Sequence, residues 1–474
     1  RLILCVVYLI TGLYVIAALP PGGGFDEPTH VARVAQIAQG IIAPQRISND
    51  VSTLDVSYAS PTRSDFDAYG GTTDKALYDL LVSGCHSLWG GGEKYSFPIW
   101  TDARFIEHGS MGQDSVTWIF SNTAINSPAA YLPYIPAYLI ATMLTANPMF
   151  VLICLRLAGL LFLVCMLYLS LRMLPVGQIT VSCIALLPVS VFSFAPVSAD
   201  GPTFAYLCLY SATIVRLVFT LDVRRSLYVI LAVASFGLCL SKMTYVVFGL
   251  LIPVVLLLCP RRRNIREVVW LGVIGIVSLL IFIVWYIGTK DINTGLMWKS
   301  TINPSAQIHV VLSDLPHFLA IMGRTLLNMD CLGFSAGIPS GNAITASWPV
   351  TIIVLFCILI DVTRGRGVLA RVQRRLAFTC IVFAICVLSA SLICLGMYLQ
   401  FTEVGLSVID GVQIRYFVPL VLTSLLSVVV MFSSASQDGV ELAEECCQMS
   451  RKIVIMPCSL ALYTLFCVMT FLNI

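Results

Sequence analysis

The chain has 474 residues, 58% of them hydrophobic and 11% charged, with a formal net charge of +3 and a mean hydropathy of +0.90. Soluble proteins carry roughly 25% charged residues, so this composition excludes a soluble multidomain enzyme, a disordered chain and a nucleic-acid binder. What remains is an all-α polytopic membrane protein, in which the placement of charge along the chain says more than its sum.

Apolar runs of about 17–25 residues mark spans. Eleven are expected: 2–19, 149–171, 178–196, 201–220, 226–240, 243–259, 268–287, 348–362, 376–399, 416–433 and 453–472. The first is too long for a signal peptide and lacks a cleavage context, so it reads as an anchor. The stretch 129–145 is apolar but short, and it holds Pro133 and Pro136. If it does not cross, Arg172, Arg224, Arg225, Arg261–Arg263 with Arg266, the basic stretch 364–375, Arg451 and Lys452 all share the side of the N-terminus. If it crosses, the two strongest basic clusters go outside. The positive-inside rule therefore makes 129–145 an interfacial or re-entrant helix, with the N-terminus cytoplasmic and the C-terminus outside.

One integral membrane domain, 1–474, then carries two extracytoplasmic loops. The first, 20–128, has twelve acids against six bases. The second, 288–346, contains a candidate interfacial helix near Leu312–Leu327. All five histidines (His30, His86, His108, His309 and His317) fall in these loops, so chemistry is expected on the extracytoplasmic face. Most of the seventeen cysteines lie in apolar runs, where they act as small hydrophobes. Cys85 and Cys331 are in the polar loops, and a bridge between them is open without being required by spacing. No internal repeat is evident, which weighs against an inverted-repeat transporter.

Four motifs stand out. Phe25–Gly40 reads FDEPTHVARVAQIAQG. Asp26 suits an N-cap, Pro28 the first turn and Gly40 the stop. A helix of about 14 residues, roughly 21 Å, cannot span. Its apolar stripe of Val31, Val34, Ala35, Ala38 and Ile41 is expected to lie on the membrane. Asp26, His30 and Arg33, spaced i, i+4, i+7, share an edge. Adjacent carboxylates beside a histidine suit a general base or a divalent metal, while the plainer alternative is that Asp26 and Glu27 cap a surface helix. The second motif, Ser198–Thr203, puts Asp200 at the outer junction of two spans, where an acid is costly unless paired or wet; the alternative is again an N-cap. The third runs from Asp410 to Phe417 and includes Gln413, Arg415 and Tyr416. A guanidinium at the outer membrane edge suits a lipid-linked phosphate. Lys242, alone in a tight outer turn, is a second such cation; snorkelling to headgroups is the alternative for both. The fourth, Asn126–Tyr134 (NSPAAYLPY), reads first as an aromatic belt, the alternative being the lining of an entry for an isoprenoid chain. Arg156, early in a span, calls for an acidic partner that the sequence does not name. No Walker-type loop, tight Cys/His cluster or nucleophile elbow is present in the sequence.

Taken in order, FDEPTHVARVAQIAQG, NSPAAYLPY, SADGPT and GVQIRYFVPL resemble a family of bacterial multi-span membrane proteins of unknown function, marked by DEPxH and GVQxRYF motifs. That family in turn resembles the GT-C superfamily of integral membrane glycosyltransferases. The resemblance covers most of the chain. It implies transfer of a sugar from a polyprenyl-phosphate donor to a cell-envelope glycan or glycolipid, in polysaccharide biosynthesis at the bacterial cytoplasmic membrane. GT-C members place an essential acid in the first extracytoplasmic loop, right after the first span, where Asp26 and Glu27 match; the spacing of the acidic pair varies, so the choice stays open. They also have juxtamembrane helices in that loop, as read here for 27–40 and 129–145. An acid in the second outer loop recurs, and Asp200 matches it. The donor-phosphate cations are not fixed in the superfamily. The candidate donor- and substrate-binding set is therefore His30, Arg33, Asp200, Lys242, Gln413, Arg415 and Tyr416. Asp26 and Asp200 are also candidate ligands for a divalent metal, Mg or Mn, and no nucleotide cofactor is expected. Two other classes stay open: a transporter or flippase of lipid-linked glycans, which needs charge near mid-membrane, and a non-catalytic envelope-assembly scaffold.

Overall fold

The computed structural model describes residues 1–47, 68–90, 94–106, 109–220, 224–259, 264–292, 301–328, 347–364, 372–433, 456–465 and 467. His108, Arg261–Arg263, Cys331 and most of the 364–375 basic stretch lie outside the described residues.

The chain opens with α1 (Leu2–Ala18) and then builds a cap from the first polar segment. The cap holds α2 (Glu27–Ala38), β1 (Gln45–Arg46), β2 (Tyr69–Asp74), α3 (Lys75–Gly90), α4 (Ala103–Ile106), β3 (Ser115–Ile119), α5 (Ser121–Ala124) and α6 (Tyr134–Leu144). The strands form one antiparallel sheet in the order β1-β2-β3, with Gly70 opposite Ile119 and Asp74 opposite Ser115. The expectation of an all-α chain is corrected here: the fold is mostly helical, with a small sheet in the cap. The Thr- and Trp-bearing segments Tyr69–Asp74 and Ser115–Ile119 are too short to show a clear period in sequence. They pair across 45 residues, and a Cβ at Gly70 would lie 2.1 Å from the Trp118 carbonyl oxygen, so the close pairing needs glycine.

The helical body follows: α7 (Pro148–Met173), α8 (Gln178–Ala185), α9 (Pro188–Phe194), α10 (Asp200–Phe219), α11 (Ser226–Ser241), α12 (Leu251–Leu258), α13 (Ile265–Thr289), α14 (Pro304–Ser313), α15 (Leu315–Leu327), α16 (Ser347–Arg364), α17 (Val372–Phe401) and α18 (Val418–Phe432). Side-chain caps fix several starts: Asn147 accepts from the Phe150 amide at 3.1 Å and Asn264 from the Glu267 amide at 3.0 Å. α10 is the central helix, apolar and enclosed by α7, α11 and α18. α13 is peripheral and exposes apolar side chains along most of its length.

Among the described residues, four helices are long and apolar enough to cross a membrane: α7, α10, α13 and most of α17. A fifth is reached if α14 and α15, bent by 109° at their junction, count as one broken span. Within the described residues, the other expected spans hold shorter or interrupted helices. Pro188 separates α8 from α9, and a 3-10 segment, Met243–Leu250, precedes α12. α6 has 11 residues, about 16 Å, well short of a hydrocarbon core.

Two local expectations change. The stripe of α2 does not lie on the membrane: Val31, Val34 and Ala35 pack with Leu77, Leu81, Tyr131 and Tyr134. The rest of α2 is enclosed by β2, α3 and α5, because its polar residues find partners inside the cap. Tyr131 and Tyr134 form no aromatic belt; both are fully buried. Cys85 is a free, buried thiol, pushed up to about 12 by burial, with the charges of Asp26 and Glu27 adding to the rise.

Candidate active site

The site begins where α1 gives way to α2. Asp26 stands at the N-cap position of α2 but does not cap it. Its backbone is left-handed (φ 56°), the only positive φ at a non-glycine among the described residues. Asp tolerates that region better than most residues, yet it still costs energy and marks a position held by its surroundings. The Thr29 hydroxyl donates to the Asp26 carbonyl at 2.9 Å. The carboxylate makes no cap bond to the helix end, and Oδ2 accepts from Arg415 Nη2 at 2.6 Å.

Arg415 lies in the short 3-10 turn Ile414–Tyr416 just before α18. Its side chain is 3% exposed, against 31% for Asp26. Nε sits 3.3 Å from Asp200 Oδ2. The guanidinium also covers the Phe25 ring at 4.6 Å and the Tyr416 ring at 5.2 Å, a stacking that suits its planar cation. Among the described residues, Arg415 Nη1 and Gln413 Oε1 are buried polar atoms with no hydrogen-bond partner. Such groups are rare in native proteins and call for an explanation.

Asp200 occupies the first turn of α10 rather than its cap, which is Ala199. An acid there complements the helix dipole. Its Oδ1 pairs with Lys242 Nζ. Lys242 is the extended residue joining α11 to the 3-10 segment, and its ammonium stands 4.3 Å above the Tyr416 ring. Tyr245 ties this turn to the Arg415 segment by donating to the Tyr416 carbonyl at 2.6 Å. Four segments distant in sequence thus bring Asp26, Asp200, Lys242 and Arg415 into one cluster of two acids and two bases.

Glu27 turns the other way. It is fully buried and takes a bidentate ion pair from Arg156 of α7, Nε to Oε1 at 2.8 Å and Nη2 to Oε2 at 2.7 Å. The Val197 amide donates to Oε1 at 3.0 Å. Arg156 also donates to the carbonyls of Leu19 and Pro20, both at 2.7 Å. Every arm of this pair is committed to joining α1, α2, α7 and the turn before α10. Of the two candidate acids, Asp26 is the one with solvent access.

His30 and Arg33 separate as well. His30 Nδ1 lies 2.8 Å from the Tyr131 hydroxyl, and that hydroxyl accepts from Asn126 at 3.1 Å. Burial lowers the imidazole to about 4, partly opposed by Asp26 and Asp200, so His30 is neutral beside the cluster at pH 7. Arg33 points into the cap. It bonds to Gln36, to the Ile42 carbonyl at 2.6 Å and to the Asn126 carbonyl at 3.4 Å. It is lowered by burial to about 10, still charged, and holds the end of α2 rather than the cluster.

The donor set does not suit a divalent metal. Among the described residues no three His, Cys, Asp or Glu side chains gather as a metal site. The carboxylates of Asp26 and Asp200 both face Arg415, a cation standing where a bridging ion would be. The sequence left three participants unassigned: Phe25, Tyr245 and the partner of Arg156. Phe25 opens the first motif and was readable there; the other two depend on tertiary proximity.

No curated protein and no solved structure matches the chain. A family model, described as a predicted membrane protein family (DUF2142), matches residues 100–423. That match runs from the later cap to α18 and takes in Arg156, Asp200, Lys242 and Arg415. The chain belongs to this predicted membrane protein family, DUF2142.

Proposed function

We propose that this protein is a GT-C-like glycosyltransferase. It moves a sugar from a polyprenyl-phosphate donor to an envelope glycan or glycolipid on the extracytoplasmic face of a bacterial cytoplasmic membrane. The observation that carries the reading is the convergence of Asp26, Asp200, Lys242 and Arg415, with Arg415 Nη1 buried and without a hydrogen-bond partner. An unpaired guanidinium edge beside an ammonium fits the phosphate of a lipid donor. A partly exposed carboxylate next to it fits a base for an acceptor hydroxyl.

In this reading the donor phosphate takes Arg415 Nη1 and Lys242 as its partners. Asp26 accepts the proton of the acceptor hydroxyl as its oxygen bonds to the anomeric carbon. The bond from that carbon to the phosphate oxygen breaks, and the electron pair leaves on the lipid phosphate. Direct displacement inverts the anomeric centre. Asp200 holds Lys242 and Arg415 in register, and the growing charge on the leaving phosphate is met by cations already in place. Glu27 is structural. The body is read as eleven spans, the shorter helices included, with the N-terminus cytoplasmic and the cap outside. The charges gather at helix ends rather than mid-membrane, which favours this reading over a flippase.

The test uses the full chain in nanodiscs, a panel of polyprenyl-phosphate sugars and an envelope extract as acceptor. Free polyprenyl phosphate is followed by mass spectrometry. Asp26→Asn is expected to lower release by at least about a hundredfold and Arg415→Lys to raise the donor requirement, while Glu27→Gln affects stability first. Wild-type release by Asp26→Asn would overturn the base assignment. Donor crossing the bilayer with no bond broken would favour the flippase.

A further inference from the structure

At the end of α2 remote from the charged cluster lies a groove of about 480 Å³, within the size range of small-molecule sites. One wall is β2 with the turn at 111–115, and the other is α6. From α6 come Tyr138 and Thr142, spaced i, i+4 and so on one face of the helix, and Thr145 follows at its extended C-cap. The opposite face carries Leu139, Ile140, Met143 and Leu144, all exposed. The helix therefore separates a polar groove from an apolar surface. It passes at Pro148, after the Asn147 cap, into α7, one of the long apolar helices, so the groove sits at the margin of the bilayer.

The lining is acidic and hydrogen-bonding. Asp114, Gln39 and Gln113, Thr72 and Ser115 contribute, Asp74 adds its charge while its oxygens accept from the Ala76, Leu77 and Gly112 amides, and no Lys or Arg lines the groove. Such a lining repels an anionic headgroup and suits an uncharged one rich in hydroxyls. We propose that the groove binds the neutral sugar headgroup of a glycolipid whose chains lie against the exposed face of α6. This deepens the transferase reading and rests on it for its role: the groove takes a membrane-anchored acceptor. Gln39, which lines the groove, follows the 12-residue α2. That puts the groove about 18 Å along the helix from Asp26, so it holds sugar units distant from the reacting one.

The test is photolabelling of the full chain in nanodiscs with a dihexosyl diacylglycerol carrying a diazirine in one acyl chain, with mass-spectrometric mapping of the labelled peptides. Labelling is expected on α6, displaced by unlabelled dihexosyl diacylglycerol but not by phosphatidylglycerol. Gln113→Ala and Asp114→Lys, both at exposed positions, should each lower it about tenfold, the worth of one good hydrogen bond. Equal displacement by phosphatidylglycerol, or unchanged labelling in both variants, would mean general lipid contact and overturn the proposal. Displacement by the free disaccharide at the same concentration would overturn its lipid-anchored part. Asp26→Asn should label like the wild type. Intact labelling without donor turnover would remove the transferase and leave the groove; turnover without labelling would remove the groove alone.

Discussion

Removing one half of the Glu27–Arg156 pair tests what holds the cap on the helical body. Glu27 accepts from Arg156 at 2.8 and 2.7 Å, from the Val197 amide at 3.0 Å and from the Gly24 amide at 3.3 Å, with both side chains essentially unexposed. In Arg156→Met the carboxylate stays buried with two amide donors and no cation. Breaking a buried pair in this way costs about 3–5 kcal/mol. Glu27→Gln leaves the guanidinium on the Leu19 and Pro20 carbonyls with a neutral partner, at a cost of the same order. The double variant removes both charges and leaves carbonyls short of donors, at about 1–3 kcal/mol each. The two single costs together should therefore exceed the double by about 4 kcal/mol. The assay is unfolding of the full chain in mixed micelles titrated with SDS, read by tryptophan fluorescence for all four proteins. A loss below about 1 kcal/mol in Arg156→Met, typical of a solvent-screened pair, would refute the reasoning. So would additivity within about 0.5 kcal/mol.

Two further outcomes follow from the same geometry. His30 takes a proton near 6.5 in the unfolded chain and near 4 in the folded one. Stability should fall as pH drops from about 6.5 to about 4, by on the order of 3 kcal/mol. His30→Gln should flatten that part of the curve; parallel curves of unfolding midpoint against pH would sink the assignment. Where the start of α6 packs on the middle of α7, a Cβ on Gly159 would lie 2.6 Å from the Tyr134 ring, whose hydroxyl donates to the Ser198 carbonyl at 3.1 Å. Gly159→Ala should cost about 1–3 kcal/mol by overpacking, and pairing it with Tyr134→Leu should recover part of that. A thermal midpoint for Gly159→Ala equal to wild type would show that the contact yields freely.

Sequence alone determined that this is a helical membrane protein and where most of its helices lie, because a run of apolar residues is a local property. It also singled out Asp26, Asp200, Lys242 and Arg415, which the fold brings into one cluster, since an isolated charge at a helix end beside apolar runs is costly wherever it falls. What it did not determine was pairing. Asp26 and Glu27 are adjacent in the chain and look alike, yet one faces Arg415 and the other Arg156. The left-handed backbone at Asp26 sets that divergence, and the arrival of α7, α10 and α18 around it supplies the partners. The cap sheet was hidden for the same reason. Its strands are short, and Tyr69–Asp74 becomes a strand only when Ser115–Ile119 pairs with it. Ion pairs and strand ladders join residues dozens to hundreds of positions apart, and no local pattern records which of several candidates will meet.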